Sequence, residues 1–255
     1  MKTNNHKDRI KALLKGIETG DEASVEVVNE AKYIQHNPQT HEGSEGLAAL
    51  FKRLSKTSPR VNIVRAFEDG DYVFAHTEYD FDHSNIGFEI FRFEDGQAVE
   101  HWDNIQHRKG PNSSGHSMVD GPCEVSDPQS TEANRSLVEL FVDSILISRQ
   151  LDKLDQFVDP QSFIEHSPLS EDGIESLKLK LSQKTGLEFS HCYRTKHKIL
   201  AEGDFVLCVC EGSNNAIHTS FFDLYRLRDK RIVEHWDTVE AIPPRSEWKN
   251  NNGKF

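Results

Sequence analysis

The chain has 255 residues, of which 36% are hydrophobic and 15 are Phe, enough apolar material for two domains of ordinary size. Its formal net charge of -12 disfavours nucleic acid and anionic membrane surfaces as partners, because proteins that bind them normally present a basic face. No apolar run approaches the roughly 18 residues of a membrane span, and the polar start does not resemble a secretory signal, so we expect a soluble cytoplasmic protein.

The first pattern along the chain predicts an amphipathic helix, with one apolar face at i, i+3, i+4, i+7 spacing formed by Ile10, Leu13, Leu14 and Ile17. A short segment follows and ends in His36-Asn37-Pro38, where the residue before proline favours extended backbone or a turn. A second helix is predicted around residues 45 to 56.

Four strands are predicted next. Hairpin signals separate them at Asp69-Gly70-Asp71 and at Glu94-Asp95-Gly96. The strands cover Val61–Phe67, Tyr72–Asp80, Gly87–Phe93 and Ala98–Gln106. Helices followed by an antiparallel meander indicate an α+β fold.

The remaining sequence repeats this order of elements. Residues 33–38 (YIQHNP) match residues 163–168 (FIEHSP) at an offset of 130, and residues 92–103 match residues 226–237 at an offset of 134, with seven of twelve positions identical. The second pair of segments ends in the same string, Val-Glu-His-Trp-Asp. Two tandem copies of one domain are therefore predicted.

Composition sets the expected boundaries of the copies. Residues 111–129 are rich in Gly, Pro, Ser and Asp and lack apolar periodicity, which is typical of a linker. We expect domains at residues 1–110 and 130–248, followed by a frayed polar tail at 249–255.

The helix, the Tyr-Ile-x-His-x-Pro block, the second helix and the segment FRFEDGQAVEHWD together resemble the SnoaL-like polyketide cyclase family of the NTF2-like superfamily. The resemblance covers both copies. It implies two cone-shaped α+β barrels, with helices packed on a curved antiparallel sheet, and an intramolecular pseudo-dimer that could oligomerise further. It also implies acid/base catalysis on a small apolar carbonyl compound by aldol cyclisation or isomerisation, without cofactor or metal.

The shared string contains the main candidates for chemistry. Side chains alternate along a strand, so His101 and Asp103 share one face, while Glu100 and Trp102 share the other. The resemblance matches Asp103 and Asp237 to the family's acid on this strand. In many relatives an acidic residue instead follows the Trp by a few positions, where this chain has Gln106 and Glu240.

The predicted catalytic residues are Asp103, His101 and His36 in the first copy and Asp237, His235 and His166 in the second. The predicted substrate contacts are His76, Trp102, Trp236, Tyr33 and Phe163. Most of these residues have a structural alternative. Trp102 would be a core residue, and His101 and Asp103 would lie on an outer or interface face. His36 and His166 would satisfy loop carbonyls, and His76 would be an exposed strand residue. The first copy has the richer set of histidines and is the favoured active copy.

Two other interpretations remain open. His36, His76, His101 and Asp103 are residue types that bind first-row metals, although no tight ligand spacing such as HExxH is present. The two copies could also form a binding module that holds an apolar ligand or a protein partner without turnover.

Overall fold

The computed structural model describes residues 6–41, 52–54, 56, 58–81 and 83–255. The chain divides into two compact units: unit 1 comprises residues 1–107 and 243–255, and unit 2 comprises residues 108–242. In the described part of the chain, no helix is both long enough and apolar enough to cross a membrane.

In the described part of unit 1, helix α1 (His6–Thr19) packs against a five-stranded sheet. The helix buries the predicted apolar face, and a 3-10 turn (Glu22–Val27) follows. The strands are β1 (Ile34–Gln35), β2 (Arg60–Asp69), β3 (Tyr72–Asp80), β4 (Ser84–Glu94) and β5 (Gln97–His107). Their order is β1-β5-β4-β3-β2, antiparallel except for the parallel pair β1–β5. The helix predicted around residues 45 to 56 lies mostly outside the described residues.

Unit 2 repeats this topology with a sheet ordered β6-β12-β11-β10-β9. Its helices are α2 (Thr131–Phe141), continued by a π-helical turn (Val142–Ile147), and α3 (Ile174–Ser182). Short 3-10 turns span Pro128–Ser130 and Leu151–Gln156. The strands are β6 (Ile164–Glu165), β7 (Lys184–Thr185), β8 (Glu188–Phe189), β9 (His191–Glu202), β10 (Phe205–Asn214), β11 (Ile217–Arg228) and β12 (Arg231–Ala241), with β7 and β8 forming a separate hairpin.

The two sheets share details that the sequence repeat predicts. Gly70 and Gly203 make equivalent hairpin turns at φ 59° and 60°, a conformation in which a side chain is strained. A register shift occurs at the same place in each sheet, after Arg92 on β4 and after Arg226 on β11. The fold is therefore α+β, with two tandem units of the same topology.

The structure differs from the prediction outside the repeats. The segment 243–255 was expected to be partly a frayed tail, but it packs within unit 1, where Asn250 and Lys254 are buried. The expected linker packs within unit 2, where Asn112 and Met118 are buried. Polar composition was misleading because the Asn side chains of both segments hydrogen-bond to backbone carbonyls.

Candidate functional site

The alternation of side chains along β5 decides which residues face the interior of unit 1. His101 and Asp103 lie beside Phe91 and Glu89 of β4 in register, and all four line one cavity. Glu100 and Trp102 point to the opposite face. The volume of the cavity is about 410 Å³, within the usual range of small-molecule sites.

Apolar side chains form much of the cavity wall. They come from α1, from the sheet and from the segment before β2, and they are Leu13, Leu14, Ile17, Leu54, Phe81, Phe91 and Ile105. The polar lining includes Tyr33, Gln35, Asn37, Tyr79, Asn85, Glu89, His101 and Asp103. Such a lining favours an apolar ligand with a few oriented polar atoms.

His101 is held at both ring nitrogens. Its Nδ1 lies 3.0 Å from Gln35 Oε1, and that oxygen also accepts the N–H of Asn37 at 2.9 Å. Because Gln35 Oε1 acts as an acceptor, Nδ1–H is the donor. On the other side, Nε2 lies 2.7 Å from Glu89 Oε2, and Glu89 Oε1 accepts the hydroxyl of Tyr79 at 2.8 Å. His101 therefore has no ring nitrogen free for a ligand.

Asp103 is held differently. Its Oδ2 accepts a hydrogen bond from Asn37 Nδ2 at 2.7 Å. Its Oδ1 is buried, has no hydrogen-bond partner among the described residues and lies 3.5 Å from Lys254 Nζ. One oxygen of the carboxylate therefore has an ammonium beside it but no hydrogen-bond partner among the described residues.

Tyr33 is the second buried polar group of the cavity with unused capacity. Its side chain lines the cavity, and its hydroxyl has no hydrogen-bond partner in the described part of the protein. Burial, together with the carboxylates of Glu89 and Asp103, raises the pKa of Tyr33 well above its usual range. The phenol therefore stays protonated and can donate a hydrogen bond to a ligand oxygen.

His36 does not line this cavity, which corrects the prediction of a catalytic role. Its Nδ1 donates to the carbonyl of Gly253 at 3.0 Å, and its Nε2 lies 2.9 Å from Glu100, which also pairs with Arg92. The ring stacks on Trp102 at a centroid distance of 4.7 Å. This matches the alternative interpretation, in which the histidine satisfies a backbone carbonyl.

Trp102 and His76 also lie outside the cavity, so neither makes the predicted substrate contact there. Both are on the face of the sheet opposite to Asp103, because they occupy alternate strand positions. His76 is fully buried, not exposed as the alternative interpretation expected: its Nδ1 lies 2.8 Å from Arg65 Nη1, and its ring packs edge-on against Phe88.

In unit 2, His235 and Asp237 share one face of the sheet, as His101 and Asp103 do in unit 1, and Glu165 adds a further carboxylate. His235 Nδ1 lies 2.8 Å from Glu165 Oε1, at the place of Gln35, and Nε2 lies 3.0 Å from Asp223 Oδ1, at the place of Glu89. Burial lowers the pKa of His235, but the two carboxylates outweigh it and raise that pKa to about 10. His235 is therefore fixed as an imidazolium.

The cavity of unit 2 is almost completely filled. Only about 10 Å³ remains between side chains that include Phe141, Phe163, Lys180 and His235. Lys180 Nζ lies 3.4 Å from Asp237 Oδ2. Burial opposes the charged form, but Asp237 and its neighbouring carboxylates raise the pKa of Lys180, so the ammonium stays charged.

His166 and Trp236 take the positions of His36 and Trp102, again outside the cavity. His166 Nε2 lies 2.8 Å from Glu234, Nδ1 donates to the carbonyl of Ser117 at 2.8 Å, and the ring stacks on Trp236 at 4.6 Å. The indole N–H of Trp236 donates to the carbonyl of Asp120. The predicted catalytic and substrate-binding roles of these two residues are corrected accordingly. Phe163, by contrast, lines the small cavity.

Among the residues that the structure describes, three clusters have potential metal-ligand atoms within 4.8 Å of one another: Glu89-His101-Asp103, Asp223-His235-Asp237 and His116-Asp120-His166. The predicted set of His36, His76, His101 and Asp103 is not brought together. A lysine ammonium already lies beside the carboxylate of the first two clusters, so a divalent cation there would face a like charge.

Sequence reasoning missed four residues of the unit 1 site: Gln35, Tyr79, Glu89 and Lys254. Two of them carried a signal, because Glu89 matches Asp223 at the offset of 134 and Gln35 matches Glu165 inside the His-x-Pro block. Tyr79 and Lys254 have no such signal, since Tyr79 matches Gly212 and the segment containing Lys254 lies outside the repeat.

Residues 10–101, all within unit 1, match the family model described as the SnoaL-like domain. Unit 2 repeats the topology of unit 1 and its His-Trp-Asp motif. No curated protein matches the sequence.

Solved structures similar to part of the chain include TsrD from Streptomyces laurentii, at 20% identity over 42% of this chain and 91% of that one, with a TM-score of 0.37. A protein of Bacillus cereus provisionally described as a polyketide cyclase matches at 20% identity over 38% and 72%, with a TM-score of 0.35. A protein of Kribbella flavida provisionally described as a ketosteroid isomerase matches at 15% identity over 45% and 84%, with a TM-score of 0.38.

Proposed function

We propose that unit 1 is an acid/base site that moves a proton next to the carbonyl group of a small, mostly apolar compound. The observation that carries the proposal is a pair of buried oxygens without a hydrogen-bond partner among the described residues. They are Asp103 Oδ1 and the Tyr33 hydroxyl, and both side chains line a cavity of about 410 Å³. A base and a proton donor in one apolar chamber are the two groups that enolate formation needs.

Asp103 acts as the base in this proposal. Its Oδ1 takes the proton from the carbon next to the carbonyl, and the C–H electron pair becomes the carbon–carbon double bond of the enolate. The carbonyl oxygen gains the negative charge and accepts a hydrogen bond from the Tyr33 hydroxyl. Return of the proton to another carbon gives isomerisation, whereas attack of the enolate carbon on a second carbonyl gives aldol cyclisation.

His101 has a positioning role in this proposal and does not donate a proton to the ligand. Both of its ring nitrogens are engaged, by Gln35 and by Glu89. The same Gln35 oxygen fixes the backbone N–H of Asn37, and the side chain of Asn37 holds Asp103 Oδ2. The hydrogen-bonded series thus fixes the base in orientation.

The alternative function is a noncatalytic binding module. The engagement of both His101 nitrogens favours it, because it leaves one fewer group for proton transfer. The intramolecular pairing of the two copies, further oligomerisation and a cytoplasmic location stay predictions under either function.

Deuterium exchange of the bicyclic ketone 2-tetralone in D₂O, followed by proton NMR, tests the step that both reactions share. We expect the full chain to accelerate exchange at the carbons next to the carbonyl. Asp103→Asn should slow it by about 100-fold or more, the usual contribution of a general base. Tyr33→Phe should slow it by about 10-fold or more, because it removes a donor to the developing oxyanion.

Asp237→Asn is the matched control, since it changes the equivalent carboxylate in the filled unit and should leave exchange unchanged. Equal exchange by wild type and Asp103→Asn would contradict the proposal. Saturable binding of the ketone without accelerated exchange would support the noncatalytic alternative.

A further inference from the structure

The buried ammonium beside the proposed base comes from the segment 243–255, outside the repeated domain sequence. Lys254 is 4% exposed, and its Nζ lies 3.5 Å from Asp103 Oδ1. A buried ammonium costs several kcal/mol unless a carboxylate compensates it. The position of Lys254 therefore depends on Asp103, and the charge of Asp103 on Lys254.

The segment 243–255 is attached to the His-x-Pro loop of unit 1 by hydrogen bonds from its Asn side chains to backbone carbonyls of that loop and its flanks. Asn250 Nδ2 donates to the carbonyls of Asn37 at 2.7 Å and Thr40 at 3.0 Å. Asn252 Nδ2 donates to the carbonyl of Gln35 at 3.0 Å. These contacts tie the segment to the loop whose Gln35 and Asn37 side chains hold His101 and Asp103.

His36 holds the residue directly before the lysine. Its Nδ1 donates to the carbonyl of Gly253, while Glu100 and Arg92 complete an Arg-Glu-His series behind it. The histidine that the sequence placed in the active site thus acts on the other face of the sheet, where it fixes the backbone next to Lys254.

Unit 2 pairs its equivalent carboxylate with a lysine from a different element. Lys180 of α3 lies 3.4 Å from Asp237 and is also largely buried. The same sheet position therefore has a lysine partner in both units, although the lysines occupy unrelated places in the sequence. This recurrence indicates that the carboxylate needs a nearby cation.

We propose that Lys254 is a positioning residue of the unit 1 site, whose buried ammonium pairs with Asp103 and holds the carboxylate in place for proton abstraction. The assignment rests on the proposed function in one respect, namely that Asp103 is the base. The groups near Asp103 also include Asn37, Glu89, Tyr33, Tyr79 and His101.

The charges around Asp103 show why the lysine matters. Ligand atoms of Glu89 and Asp103 lie within 4.8 Å of each other, so two carboxylates share one buried site with His101. The ammonium of Lys254, 3.5 Å from Asp103 Oδ1, is the opposite charge that offsets the repulsion between these two carboxylates.

Carbon-13 NMR of the full chain labelled at aspartate Cγ tests the proposal without any substrate, with the Asp103 resonance assigned by its absence in Asp103→Asn. In Lys254→Met, the pH midpoint of the Asp103 resonance should move upward by about one unit or more. Lys254→Arg should restore the wild-type midpoint. Arg245→Met removes a charge from an exposed position of the same segment, outside the cavity lining, and should leave the midpoint unchanged.

Exchange of 2-tetralone provides the second readout. The pH–rate profile of Lys254→Met should move upward together with the NMR midpoint, so that the loss of rate is greatest at acidic pH. If wild type shows no exchange, the proposed reaction fails, but the NMR titration still decides the role of Lys254.

An unchanged Asp103 midpoint in Lys254→Met would overturn the inference. If Lys254→Met instead releases the segment, Asn250→Ala gives the second measurement, because it keeps the lysine but weakens its attachment. That variant should move the midpoint upward by a smaller amount, and no movement in it would also overturn the inference.

Discussion

The two units share a topology and a Val-Glu-His-Trp-Asp strand, but one contains a chamber and the other does not. Unit 1 encloses about 410 Å³ beside Asp103, whereas unit 2 leaves about 10 Å³ beside His235. The surrounding charges differ as well, since Gln35 in unit 1 is Glu165 in unit 2. Duplication of the motif therefore preserved the fold and the buried His/Asp face, but not the space for a ligand.

The largest expected difference between the units concerns core truncation. Phe141 packs edge-on against Phe157 and Tyr225 in the filled unit, so Phe141→Ala should cost about 3–5 kcal/mol of unfolding free energy. Leu13 borders an existing chamber, so Leu13→Ala should cost about 2 kcal/mol, the low end for such a truncation. Hydrogen exchange of strand amides in each unit measures both values, and equal costs would contradict the comparison.

Removal of one carboxylate from His235 should have the next largest effect. The pKa of His235 is raised to about 10 from an ordinary 6.5, so its stabilising contribution is complete below about 6.5 and disappears as the pH rises through about 10. Glu165→Gln should lower that pKa and cost about 1–3 kcal/mol near neutral pH. Nitrogen-15 NMR of the imidazole and urea unfolding across pH measure the two effects. An unchanged titration would show that Glu165 does not fix the imidazolium.

Filling the chamber should weaken ligand binding more than it changes stability. Leu13→Phe places a larger side chain in the chamber wall and should reduce 2-tetralone affinity by about 10-fold, a free-energy change of about 1.4 kcal/mol. The matched change in unit 2, Phe141→Leu, should leave binding unaffected. Titration by NMR gives both affinities, and a loss of affinity in Phe141→Leu would place the ligand in unit 2.

The smallest expected effects concern the two segments outside the repeats. Asn112 of unit 2 and Asn250 of unit 1 each donate to the carbonyls of a His-x-Pro loop. Replacement by Ala should cost about 1 kcal/mol in each case, since each loses buried hydrogen bonds. Limited proteolysis of each segment should accelerate to a similar degree. A large effect in one segment alone would show that the two attachments are not equivalent.

The fold was predictable from the sequence because its signals are local and repeated. Period-2 alternation located the strands, hairpin turns separated them, and the same alternation placed His101 and Asp103 on one face and Trp102 on the other. The site was only partly predictable. Glu89 and Gln35 reach His101 from neighbouring strands, and strand-to-strand register requires the folded sheet.

Two errors have a common physical origin. His36 was expected in the cavity because its turn is rigid, but rigidity does not define which face of the sheet the ring occupies. The segment containing Lys254 was expected to fray because it is polar, but its Asn side chains bind backbone carbonyls and its lysine meets a buried carboxylate. Long-range pairing of this kind leaves no periodic signal in the sequence.

The central claim, that only unit 1 provides a chamber for a ligand, is tested most directly by methyl NMR of the full chain titrated with 2-tetralone. The account predicts saturable shifts in the methyl groups of Leu13, Leu14, Ile17 and Ile105, and none in those of Leu177, Leu181 and Ile232. Saturable shifts centred on unit 2, or none in either unit, would contradict it.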